Sequence, residues 1–217
     1  MMQNTEIGDG RMKLSVRTVP LLELTFAALD EGGAWRELVT SHSPVLSTVT
    51  LAEAAKEKGI IEVTKESETR LRLRRRLDDH ELVKDIEYLP EQGAFHVVST
   101  LKLGREELLE IFQDLWRFRA KPLDFCWVPN LRPEDDMVIG DHVFRSPALI
   151  MQRGRDFAAL VPDLDLLREC RPLKTCLEFD LKGAAKPLIG YGFKEYEPTG
   201  HTYYRHSNAM RVTLTPQ

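Results

Sequence analysis

The run Arg70-Leu-Arg-Leu-Arg74 sets Leu71 and Leu73 between Arg70, Arg72 and Arg74. Only an extended strand separates residues with a period of two onto opposite faces, so one face of this segment is buried and the other is charged. The run lies within four such segments, Ile60 to Lys65, Thr69 to Arg74, Val83 to Leu89 and Ala94 to Leu101, separated by polar turns such as Pro90-Glu-Gln-Gly93. That pattern predicts an antiparallel meander. The cluster Arg70, Arg72, Arg74, Arg75 and Arg76 can be read as a nucleic-acid stripe or as a solvated face. The solvated face is preferred, because Glu62, Glu66 and Glu68 are placed to pair across it.

The rest of the chain supports the same class. Leu14 to Leu29 reads as extended and ends in an Asp-Glu-Gly-Gly turn. Thr50 and Glu53 have capping-box spacing and Gly59 can close the turn, which predicts a short helix near 51–58. A longer helix is predicted near 105–119, where Leu108, Ile111, Phe112, Leu115 and Trp116 fall at helical spacing and Pro122 follows. Trp116 is expected in the core. Ala148 to Gln152 and Phe157 to Val161 flank Arg153-Gly-Arg-Asp156 and predict an apolar hairpin with both faces covered. Strands are further expected at Leu177 to Leu181, Pro187 to Phe193 and Met210 to Leu214. The expected fold is mainly β: an antiparallel two-sheet β-sandwich with two helices, a polar or disordered lead over 1–13 and one domain over 14–217.

Composition limits the function. A chain of 217 residues buries roughly 70% of its unfolded surface, so its core needs no disulfide or metal. Its formal charge of -4 gives no reason to expect nucleic acid or an anionic membrane as partner. Cys126, Cys170 and Cys176 show no paired spacing and are expected to be reduced. The first residues show no apolar signal-peptide core, and no apolar run approaches the ~18 residues of a membrane span, so a soluble chain is expected and its compartment is left open. Dinucleotide, phosphate-loop, serine-hydrolase and paired-cysteine zinc motifs are absent. No cofactor is expected.

Three constellations carry chemistry-bearing side chains. Asp135, Asp136, Asp141, His142, Asp163 and Asp165 offer oxygen and imidazole ligands, but their spacing matches no metal loop, and turn capping is the preferred reading. Trp127, Asn130 and Arg132 combine an indole face with hydrogen-bonding groups, which suits a glycan cleft. His201, Tyr203, Tyr204, Arg205, His206 and Asn208 supply the base and cation types that β-elimination on a uronic acid needs, although a strand divides them between two faces. Asp141, His142 and Arg145 are expected at one rim of the apolar hairpin, hydrogen-bonded to one another or to a nearby loop.

The segments VPNLRPEDDMVIGDHVFRSPALIMQ and LIGYGFKEYEPTGHTYYRH resemble the N-terminal β-sandwich domains that precede an (α/α) toroid in bacterial glycoside hydrolases and polysaccharide lyases. That resemblance implies an accessory module, not catalytic as an isolated chain. Its expected partners are an oligo- or polysaccharide and a C-terminal helical domain or another protein; a reading frame that continues past Gln217 into repeated amphipathic helices would favour this module, and one that stops there would favour a self-contained enzyme. The candidate contact residues are Trp127, Asn130, Arg132, Asp141, His142, Arg145, His201, Tyr203, Tyr204, Arg205 and His206. Two alternatives stay open: a self-contained lyase or hydrolase using the His201 to His206 strand, and a purely structural protein-interaction domain.

Overall fold

The structure is a computed structural model that describes residues 5–18, 22–48, 60–119, 125–127, 142–144, 149–162, 175–180, 188–194, 205–206 and 210–216. Among these residues every regular element is a strand. In chain order they are β1 (Thr5–Gly8), β2 (Met12–Arg17), β3 (Glu23–Leu29), β4 (Trp35–Ser41), β5 (Val45–Thr48), β6 (Ile60–Lys65), β7 (Arg70–Leu77), β8 (His80–Leu89) and β9 (Ala94–Lys102). They continue with β10 (Glu107–Phe118), β11 (Phe125–Trp127), β12 (His142–Phe144), β13 (Leu149–Arg153), β14 (Asp156–Pro162), β15 (Thr175–Asp180), β16 (Leu188–Lys194), β17 (Arg205–His206) and β18 (Met210–Pro216).

The strands form two sheets. One runs β1-β2-β3-β4-β10-β16-β15-β12, with β5 and β17 also paired to β10; the other runs β11-β13-β14-β18-β9-β8-β7-β6. The meander read from the sequence is β6 to β9, with Leu71 opposite Ile86 and Ile86 opposite Val97. Its alternation is strict along β8, where Leu82, Lys84, Ile86 and Tyr88 are buried and the intervening residues are half-buried. The apolar hairpin is β13 and β14, and Gly154 at its turn has a φ of 55°. Ala158, Ala159 and Leu160 are all buried, whereas Phe157 beside the turn is exposed.

Three expectations change. The helix near 105–119 is instead β10, a long strand paired with β4 and β5 on one edge and β16 on the other. Phe112, Asp114, Trp116 and Phe118 form its buried face. Ile111 and Leu115 occupy the alternate positions, a register shift between Leu109 and Ile111 interrupts the alternation nearer the start of the strand, and a strand with apolar residues at both sets of positions fills helical spacings as well as alternate ones. Its three aromatic residues and Ile111, in a strand held by neighbours on both edges, outweigh the local helix propensity of its Glu-Leu-Leu-Glu start. The polar lead contains β1, whose Ile7 is buried against β2. Leu14 to Leu29 divides into β2 and β3, a hairpin pairing Leu14 with Phe26. The short helix expected near 51–58 lies outside the described residues.

Both sheets contribute to one hydrophobic core. Phe26 of β3 meets Phe95 of β9 edge-on at 5.1 Å between ring centres and also packs against Trp116 at 5.5 Å. Within this core lies a polar cluster. Lys84 Nζ of β8 is 2.5 Å from Asp114 Oδ1 of β10, each side chain being 1% exposed. Ser99 Oγ donates to Asp114 Oδ2 at 2.5 Å, and Lys84 Nζ donates to the His42 carbonyl at 3.0 Å. The ammonium also sits 5.0 Å from the centre of the Trp116 ring. Arg75 of β7 is buried nearby in sequence, donates to Ser43 Oγ at 3.2 Å, and has its basicity lowered by burial.

The sheets are also joined at a corner. Gly8 has a φ of 136°, where a Cβ would collide with the Met12 carbonyl oxygen. The turn it permits lets the Gly8 N–H donate to the Glu68 carbonyl at 2.9 Å and the Arg11 guanidinium donate to the Pro90 carbonyl at 2.8 Å. Asp9 Oδ1 accepts from the Arg11 and Met12 N–H groups at 2.7 and 3.0 Å. Desolvation opposes ionisation of Asp9, but the Met12 and Arg11 N–H groups outweigh it and hold the carboxyl down at about 2. Burial, and then the neighbouring Asp9 carboxylate, push the Tyr88 hydroxyl up to about 12. Tyr88 Oη lies beside that carboxylate without a well-formed hydrogen bond.

Candidate functional site

The sequence candidates fall in different parts of the fold. Trp127 is on β11, at one end of the eight-stranded sheet, opposite Ile150 of β13. His142 is on β12, at the end of the other sheet, opposite Phe179 of β15. The apolar hairpin belongs to the eight-stranded sheet, so His142 and that hairpin lie in different sheets. Arg205 and His206 form β17, where they stand opposite Leu108 and Glu107 of β10. Asn130, Arg132, Asp141, Arg145, His201, Tyr203 and Tyr204 lie outside the described residues, as do Asp135, Asp136, Asp163, Asp165 and Asn208.

The arginine face is internally paired. Arg70 donates to Glu87 at 2.7 Å, Arg72 bridges Asp85 at 2.6 Å and Glu66 at 3.3 Å, and Arg74 meets Glu81 at 3.0 Å. The carboxylates come chiefly from β8, the following strand, with Glu66 adding one from the turn before β7. Hydrogen bonds and charge from Glu87 and Asp85 raise Arg70 and Arg72 above the ordinary guanidinium value. Cations neutralised within the sheet are poorly disposed to release counterions from a phosphate backbone, which is what nucleic-acid affinity requires.

The described surface has a different concave site. A groove of about 490 Å³ lies where the tips of the β3–β4 and β13–β14 hairpins meet. Ala28, Leu29, Leu38 and Phe157 supply its apolar wall, and Arg36, Arg155 and Asp156 are among its charged lining. Leu29, Trp35 and Phe157 are the large apolar side chains exposed among the described residues, at 40%, 39% and 43%. All three belong to this region, since Trp35 is the cross-strand partner of Leu29.

Local sequence shapes the groove. Asp30 Oδ1 accepts from the Gly32 and Ala34 N–H groups at 2.9 and 2.8 Å, and Gly33 takes a φ of 79°, which fixes the β3–β4 turn. Arg36 donates to Asp156 at 2.8 Å across the two sheets, and Arg155 reaches Glu31 at 2.6 Å. Asp156 is mostly covered, while Arg155 and Glu31 are 82% and 88% exposed. The first pair can hold the hairpins together, whereas the second is too solvated to contribute much.

These residues can stack an apolar ring face, donate from guanidinium groups and accept at carboxylates. Among the described residues, no group of three or more His, Cys, Asp or Glu side chains is arranged to hold a metal ion, and no helix is long and apolar enough to cross a membrane. A scan against protein-family models finds no match, and a search of curated proteins finds none either. The sequence reading missed Leu29, Arg36, Arg155 and Phe157. Their only local signal is an apolar residue abutting a Gly-containing turn on each hairpin, and alternation treats such residues as core.

Proposed function

We propose that this chain is a glycan-contacting accessory module of a carbohydrate-active protein, with its sheets facing each other as a sandwich in a single domain. The contacts of Phe26 with Phe95 and of Lys84 with Asp114 support the sandwich. The groove between the hairpin tips carries the functional reading. It brings the exposed Phe157 ring together with Arg36, Asp156, Asp30 and Glu31. An aromatic face covers sugar C–H groups, and planar charged groups pair with hydroxyls, so these types in one open groove suit an oligosaccharide. The groove is shallow and exposes its wall, so affinity is weak, on the order of millimolar.

Titration of the chain with a panel of oligosaccharides, followed by amide and side-chain NMR, tests this reading. Shifts are expected around Leu29, Arg36 and Phe157, and Phe157→Ala should remove them while the remaining spectrum stays folded. No shift there with any glycan would reject the module reading and favour a protein-docking surface. The self-contained enzyme draws on one specific observation, the register that sets His206 opposite Glu107. Turnover of a polysaccharide that is lost in His206→Ala would move the assignment to that strand.

A further inference from the structure

We propose that Lys84 and Asp114 are a modification site, at which the two side chains condense to an intramolecular amide that joins the sheets covalently. The reacting groups come from facing strands, β8 and β10, and each side chain is 1% exposed. Nζ lies 2.5 Å from Oδ1, shorter than the ~2.7–2.9 Å of an ordinary charge-assisted N–H···O contact. An oxygen that close keeps its carboxyl carbon near the roughly 3–3.5 Å at which an attacking atom is poised.

Two features favour the neutral product. Burying both charges carries a desolvation penalty that an amide does not. The surrounding partners also match an amide closely. Its single N–H has the His42 carbonyl, now 3.0 Å from Nζ, and its oxygen has the Ser99 hydroxyl, now 2.5 Å from Oδ2. Ser41 Oγ, whose own proton goes to the Leu115 carbonyl at 2.9 Å, is a third acceptor for the ammonium and a long one, at 3.4 Å. The three ammonium protons thus face one short and two longer acceptors, whereas the amide meets each of its two polar groups with one of the nearest partners.

The step balances without another reagent. A proton passes from the ammonium to Oδ1, giving an amine and a carboxylic acid. The amine lone pair adds to Cγ, Oδ1 departs as water with two protons, and Oδ2 remains as the amide oxygen held by Ser99. Fixed geometry raises the effective concentration of the two groups to about 10⁵–10⁸ M, and the dry core disfavours the reverse hydrolysis. Trp116, whose ring lies 5.0 Å from Nζ, covers the site on one side.

Mass spectrometry of the full chain, denatured and reduced, tests the proposal. The expected mass is one water below that of the sequence, and trypsin should fail to cut after Lys84 and instead yield a branched peptide containing Lys84 and Asp114. Lys84→Arg and Asp114→Ala should each restore the unmodified mass, a readout that does not require either variant to fold. A wild-type chain of full sequence mass that trypsin cuts normally after Lys84 would overturn the proposal and leave a buried ion pair. Loss of water mapped to any other residue would overturn it as well.

Discussion

Strand β8 carries the same two chemistries on its two faces, and they do different work. On the outer face Glu81, Asp85 and Glu87 meet Arg74, Arg72 and Arg70 in half-exposed pairs. On the inner face Lys84 meets Asp114 with almost no solvent. Outside, water solvates either partner that is left alone, so the pairs set surface character more than stability. Inside, an abandoned charge has no such refuge, and the contact makes the two sheets depend on each other.

The largest break in this contrast is Asp114→Ala. It leaves Lys84 buried opposite Ser99 without its carboxylate and should cost about 3–5 kcal/mol, read as a fall in the urea midpoint. Lys84→Met combined with Asp114→Leu separates charge pairing from covalent linkage. An ion pair replaced in this way is close to neutral in stability, whereas loss of an amide bridge lowers the midpoint. A cost below about 1 kcal/mol for Asp114→Ala would mean that the inner pair behaves like the outer ones.

The comparison also separates what was legible in the sequence from what was not. The outer face was readable because its alternation is local, and the strands from Ile60 to Lys102 follow it directly. The inner pair was written in the same alternation, since Lys84 shares a face with Leu82, Ile86 and Tyr88, and Arg75 shares one with Leu71, Leu73 and Leu77. Seen locally, a charged residue in such a position does not reveal its partner. Asp114 was hidden further by the helical spacing of β10. The groove was less legible still, because Arg36 and Asp156 are separated by 120 residues and only the sheet topology brings them together.

The corner at Asp9 should give an intermediate effect that depends on pH. Its carboxyl is held at about 2 in the folded chain against an ordinary value of 3.8. A depressed folded value adds stability that is fully present above the unfolded value and is lost as pH falls through the folded one. The urea midpoint should therefore fall between about pH 4 and pH 2, and Asp9→Asn should flatten that part of the slope while lowering stability at neutral pH. An unchanged slope in the variant would show that the Met12 and Arg11 N–H groups do not hold the carboxylate as described.

The smallest effect is expected on the outer face. Arg72 bridges Asp85 and Glu66 with its side chain 44% exposed, so Arg72→Ala should lower stability by only about 0.2–1 kcal/mol. Salt sharpens this point, because at about 1 M the screening length is roughly 3 Å and exposed pairs lose most of their attraction. The Arg72→Ala deficit should therefore shrink at high salt, while the Asp114→Ala deficit should remain, since ions do not enter the core. Urea titrations of both variants at low and high sodium chloride measure the difference. If both deficits shrank in parallel, solvent would reach Lys84 and Asp114, and the division between the faces of β8 would fail.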